Sequence, residues 1–164
     1  MIVAILAMIT AVVVLNIPTP RSDAQNEASR LAVKLGAASQ RAIIANVVIG
    51  MDIQSSAYGF YEYRRGAWSP IDDKALGSRT VAENLQMDAT IDGVTIEAIR
   101  KKSETSLPNP LKNSQNEAVV VVPVLLFTPT GEVSAARFSF VAERQRWIVE
   151  QSPSGEIMVA RDGA

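Results

Sequence analysis

The chain contains no cysteine and no histidine in 164 residues. Without cysteine it can build neither a disulfide framework nor a thiolate metal site, whichever redox compartment it occupies. Without histidine it lacks the commonest general base near neutral pH and the commonest metal ligand. Ser-His-Asp, Cys-His and His-metal chemistries are thereby excluded. Carboxylate-only or Ser-Lys chemistry stays open, but the inventory is thin, so no enzyme is expected and no catalytic residue, cofactor or metal is assigned. An excess of positive charge is missing too. Sixteen basic residues face 17 acidic ones, for a net charge of -1. Phosphate binding needs a clustered basic surface, so no nucleic-acid partner is expected.

Charge of either sign is absent from the first seventeen residues, Met1 to Ile17. As a helix that run spans roughly 25 Å, a few residues short of the roughly 30 Å of a bilayer's hydrocarbon. A cleaved signal peptide would carry a basic segment before the apolar run and a small-residue cleavage site after it. Here the run begins at Met1 and ends in Leu15-Asn16-Ile17 before Pro18, with no obvious small-residue cleavage site. An ordinary core helix is apolar on one face, whereas this one is apolar all round. The favoured reading is a membrane or assembly helix carrying Ile2, Ile5, Leu6, Ile9 and Val13. Its shortfall in length predicts that the natural chain begins upstream of Met1. Pro18 and Pro20 each lack a backbone N–H and clash with the preceding turn, so a kink is expected there. The expected division is an apolar segment over 1–20 and a head over 21–164.

Behind the prolines, Ser22 or Asp23 is a good N-cap, and a helix is predicted to run to about Val47. Ala24, Ala28, Leu31, Leu35, Ala38, Ala42 and Ala45 follow one another at spacings of 4, 3, 4, 3, 4 and 3, one continuous helix face. Ala28, Leu31, Leu35, Ala38 and Ala42 are the expected packing residues, and alanine lets a sheet come close. Gln25, Arg30, Lys34 and Arg41 are assigned to the other faces.

Strands are predicted at Val47–Ile53, Tyr58–Tyr63, near Arg79–Val81, Val94–Arg100, Val119–Phe127, Val133–Val141, Arg146–Glu150 and Glu156–Arg161. Turns fall at Gln54–Ala57, Arg65-Gly66, Thr128–Glu132 and Ser152–Gly155. Residues 72–79 and the polar stretch Lys101–Ala118 read as loops. Roughly 115 residues lie beyond the helix, enough to bury one core. The expected fold is α+β: one long N-terminal helix, kinked at Pro18/Pro20, on a mostly antiparallel sheet.

Three strings carry a resemblance. Ala37-Ala38-Ser39-Gln40-Arg41-Ala42 with Val48-Ile49-Gly50-Met51, then Phe60 to Trp68 ending Arg65-Gly66-Ala67-Trp68-Ser69-Pro70, then Phe127-Thr128-Pro129-Thr130-Gly131-Glu132 follow one another in this order. The chain resembles, over nearly its whole length, the H-type minor pseudopilins of type II secretion (the GspH/FimT family). The resemblance implies a pilin-like subunit near the tip of a short pseudopilus that supports protein export across the outer membrane. It also implies a single-pass inner-membrane helix with a periplasmic head. The implied partners are other minor pseudopilins, the major pseudopilin, the inner membrane and exported proteins. One part of the family pattern is missing: no residues match the prepilin-peptidase recognition stretch, so its processing glycine and its glutamate map to no position.

Two other readings stay open. A FimT-like pilin that takes up DNA would need a basic C-terminal face, yet Met158 to Ala164 carries one arginine and one aspartate. A secreted ligand-binding β domain would lose residues 1 to about 20 with its signal. Tyr58, Phe60, Tyr61, Tyr63 and Trp68 fit sheet core better than a stacking platform. Asp72-Asp73 with Asp52 or Glu62 lacks the spacing of a calcium loop. The basic groups Arg64-Arg65, Arg100-Lys101-Lys102 and Arg144/Arg146 read as solvated turns.

Overall fold

The computed structural model describes residues 22–99 and 123–163. The apolar N-terminal segment, the Pro18/Pro20 kink and the 101–118 loop lie outside the described residues.

Helix α1 spans Asp23–Ala45. Ser22 caps it in an extended conformation, its hydroxyl accepting the Gln25 N–H at 3.2 Å. Asn46 ends it in the left-handed region at φ 52, which asparagine tolerates better than most residues. Ala24, Ala28, Leu31, Leu35, Ala38 and Ala42 are completely buried. Ala45 is not, because the helix ends there and the chain reverses at Asn46.

The strands are β1 (Val48–Ile53), β2 (Ala57–Arg64), β3 (Ala67–Pro70), β4 (Arg79–Thr80), β5 (Gln86–Ile91), β6 (Val94–Thr95), β7 (Leu125–Phe127), β8 (Ala136–Ala142), β9 (Gln145–Gln151) and β10 (Ile157–Arg161). They form two antiparallel sheets where the sequence suggested one. The first has the order β3-β2-β1-β7, with β4 also on β2; the second has the order β10-β9-β8-β5-β6. Several elements differ from expectation: β3 was not foreseen as a strand, and β7 begins only at Leu125, with Pro123 and Val124 outside it. β5 was not foreseen, although its core-facing Met87, Ala89 and Ile91 alternate with polar neighbours. The strand expected over Val94–Arg100 stops at Thr95, and residues 96–99 are helical. β8 begins at Ala136, because Val133 is held in a bridge to Phe127 across the Thr128–Glu132 turn.

Two-residue reversals close the β2–β3 and β5–β6 hairpins. Arg65-Gly66 and Asp92-Gly93 hold positive φ at both positions, the geometry that matches strand twist. The core lies where α1 meets β8, β9 and β10 on one side and β1 and β7 on the other. Ile49, Met51 and Phe60 come from the first sheet, and Phe138, Phe140 and Val149 from the second. On the outward side of the first sheet Gly50 is required. A Cβ there would sit 2.5 Å from Pro123 and 2.8 Å from the Trp68 ring.

Candidate functional site

Glu27, Lys34 and Arg41 recur every seven residues, so they share one flank of α1, beside the buried stripe. That flank faces β2 and the segment joining β3 to β4. Contrary to the sequence reading, Lys34 does not project to solvent. It is 9% exposed, and its Nζ donates to the carbonyls of Ala75 (3.0 Å) and Gly77 (2.9 Å). The connecting segment wraps this flank and supplies acceptors that periodicity along one helix cannot show. Burial, then repulsion by Arg79, holds the Lys34 pKa below its ordinary value.

Glu27 is 6% exposed and fully engaged. Arg79 donates to both its carboxylate oxygens through Nε (2.9 and 3.1 Å) and to Oε2 through Nη2 (3.1 Å). The buried Tyr58 hydroxyl donates to Oε1 at 2.9 Å. Burial and the adjacent Glu27 charge push the Tyr58 phenol far up, so it stays a donor. Arg41 bridges Asp73 and Glu62, and Glu62 also accepts from Arg64. Asp73 accepts the N–H groups of Leu76 (2.7 Å) and Ala75 (2.9 Å) as well. The Leu76 N–H leads the forces that hold its carboxyl below the usual range. Asn84 donates to Asp23 at 3.0 Å near the start of the helix.

The arrangement is a charged seam from Asp23 to Arg41. It fixes the rotation and tilt of α1 against the sheets, because each anchor ties a different helical turn to residues 58–84. Glu27 and Arg79 escaped the sequence reading. The usable signal was the seven-residue spacing of Glu27, Lys34 and Arg41, which sets a charged flank beside the apolar stripe and calls for polar partners there.

Away from the seam, α1 presents apolar side chains to solvent. Val33 is 73% exposed, Ile44 84% and Ile43 50%. The packing residues Ala28, Leu31, Leu35, Ala38 and Ala42 lie on the opposite side, against both sheets. Ile2, Ile5, Leu6, Ile9 and Val13 lie outside the described residues. Among the described residues no helix is long and apolar enough to cross a membrane.

The five aromatic residues divide between two places. Tyr58 and Phe60 are core, edge to face at 6.4 Å. Tyr61, Tyr63 and Trp68 lie on the outward side of the first sheet, with the Tyr63 and Trp68 rings 5.1 Å apart. Glu62, Asp72 and Asp73 line one surface cavity together with Arg41. Asp73 and Glu62 belong to the seam, Asp72 is exposed, and among the described residues no group of three acidic side chains could hold a metal ion. Gln151, which lines a surface cavity beside β10, is 2% exposed, and among the described residues neither its Nε2 nor its Oε1 has a hydrogen-bond partner.

No protein-family model matches the chain, and no curated protein matches it. Solved structures do. A structure of the minor pseudopilin EpsH from the type 2 secretion system of Vibrio cholerae shares 18% identity over 87% of this chain and 100% of its own, with a TM-score of 0.63. A second crystal structure of the Vibrio cholerae protein gives 19% identity, 87% and 96% coverage and a TM-score of 0.65. The solution structure of Escherichia coli GspH gives 15% identity, 88% and 96% coverage and a TM-score of 0.54. At these identities the likeness establishes the fold: a helix on two antiparallel sheets, in the pilin-like α+β class.

Proposed function

We propose that the chain is a minor pseudopilin, a structural subunit of a type II secretion pseudopilus that supports protein export across the outer membrane. The observation that carries this reading is the likeness in fold to EpsH, which covers 87% of this chain and 100% of that one at a TM-score of 0.63. The seam adds a physical reason. A fibre subunit must pass axial force from its helix to its head, and cross-ties on successive turns prevent the helix from sliding or rolling.

In this reading residues 1–20 are the membrane and assembly segment, with Ile2, Ile5, Leu6, Ile9 and Val13 facing lipid or sister helices. Residues 21–164 are the periplasmic head. A helix apolar on every side satisfies its backbone internally, so it is stable both in a bilayer and among like helices. The segment passes from one to the other without meeting water. The partners are the other minor pseudopilins and the major pseudopilin, and the subunit performs no catalysis.

The test is genetic and biochemical. Deleting the gene lowers export of secreted proteins, and the full chain restores it, whereas a chain lacking residues 1–20 does not. The full chain fractionates with the inner membrane. Unchanged export after deletion, with the protein recovered as a water-soluble monomer, overturns the reading.

A further inference from the structure

The exposed edges of the two sheets are unequally guarded. β4 and β6 are two residues long, β7 is three, and β3 ends in Pro70. β10 runs for five residues, Ile157–Arg161, with no proline, no lysine and one charged side chain. It pairs with β9 alone, and among the described residues nothing pairs with its other side. Natural proteins shorten, charge or kink such edges, because an open edge is a template for another strand.

The register shows which main-chain groups are open. Ser152 N–H donates to the Glu156 carbonyl and Asp162 N–H to the Arg146 carbonyl, each at 2.9 Å. Ile157 faces Gln151 and Arg161 faces Trp147. In an antiparallel ladder with these bonds, Met158 and Ala160 turn their N–H and C=O toward β9, and Ile157, Val159 and Arg161 turn theirs outward. The side chains along this edge are apolar and open: Met158 is 56% exposed and Val159 37%. Two surface cavities, of about 360 Å³ and about 450 Å³, adjoin the strand and share Arg137, Glu150 and Met158 as lining.

We propose that the open edge of β10 receives an extended strand from a different protein, paired through the main chain of Ile157, Val159 and Arg161. Such pairing gives affinity, and alternate side chains give selectivity. The edge suits a strand with a small or β-branched residue opposite Val159, a long apolar residue beside Met158 and a basic residue opposite Glu156. A second copy of this chain suits it poorly. In the antiparallel register that pairs all three outward residues, Glu156 of one copy meets Asp162 of the other, which Arg146 already pairs at 3.3 Å, so Glu156 gains no cationic partner opposite it. Taking the partner to be a neighbouring fibre subunit of different sequence rests on the pseudopilin reading; the pairing itself does not.

The test places the photo-cross-linker benzoylphenylalanine at Ala160, or separately at Ile44 on the helix, in the full chain in its host cells. Adducts are sequenced by mass spectrometry. The expected adduct at Ala160 joins an extended segment of a different protein. It falls at least tenfold when Val159→Pro removes the outward N–H, and it persists with Val159→Thr. Val159→Pro leaves the β9 ladder intact and keeps the thermal midpoint within about 5 °C, whereas Ala160→Pro breaks that ladder and lowers it. An adduct of the chain with itself, an adduct indifferent to Val159→Pro, or none at Ala160 overturns the proposal. Adducts at Ile44 without one at Ala160 overturn the edge pairing and leave subunit assembly standing. Adducts at neither position count against both.

Discussion

Glu27 has its charge enclosed by Arg79, Tyr58 and, at 3.7 Å, Arg30. Replacing it by glutamine leaves Arg79 facing a neutral group. The Arg79 side chain is 37% exposed, so water recovers part of the loss. Glu27→Gln is expected to destabilise the head by about 2 kcal/mol, less than breaking a fully buried pair costs, measured by urea unfolding. The opposite sign is expected at Gln151, whose amide is buried with no partner among the described residues. Gln151→Met keeps the volume and removes the desolvation cost, raising stability by about 1 kcal/mol in the same assay. The seam also sets the response to pH. Asp73 has a depressed folded pKa, so its contribution is present above the ordinary value of 3.8 and is lost as pH falls through the folded value. Tyr58 has a raised folded pKa, so the unfolded chain ionises first and stability falls as pH rises above 10.0. Lys34 acts oppositely, adding stability as pH climbs from its depressed pKa toward 10.5. Urea midpoints measured across pH should therefore show a weaker acid decline in Asp73→Asn and a weaker alkaline decline in Tyr58→Phe.

At the scale of elements, α1 was legible because its signal is local. The cap at Ser22 and the stripe from Ala24 to Ala42 recur within the reach of one helix. The hairpins were legible where Gly follows a turn residue, as at Arg65-Gly66. The seam was not legible, because the acceptors of Lys34 lie more than forty residues away and are main-chain carbonyls with no sequence signature. The split into two sheets was hidden for a similar reason, since pairing between β5 and β8 joins segments far apart in the chain. Gly50 shows the boundary between these cases. Its position in a strand is readable, but its necessity comes from Pro123 and Trp68 closing over it. Gly50→Val is expected to cost about 3 kcal/mol, as overpacking does when backbone and rings must move. Trp68 should report the displacement as a shift in its fluorescence emission in the folded variant.

For the whole molecule, α1 carries two opposed surfaces with different tasks. The buried stripe and the seam belong to the head, and removing either weakens folding. Val33 and Ile44 contribute little to the core, being 73% and 84% exposed, and they stand in line, about three turns apart, on the helix face opposite the buried stripe. If the pseudopilin reading holds, that line is covered when subunits gather, and the two surfaces can be separated by mutation. Val33→Glu with Ile44→Glu should leave the unfolding midpoint of the head within about 0.5 kcal/mol of the parent, as surface substitutions do. The same double variant should abolish co-purification with other fibre subunits and stop restoring export in a deletion strain. Loss of stability together with loss of assembly would show that the line supports the head itself. Retention of both would remove the helix face from the account of assembly and leave the β10 edge as the surface to pursue.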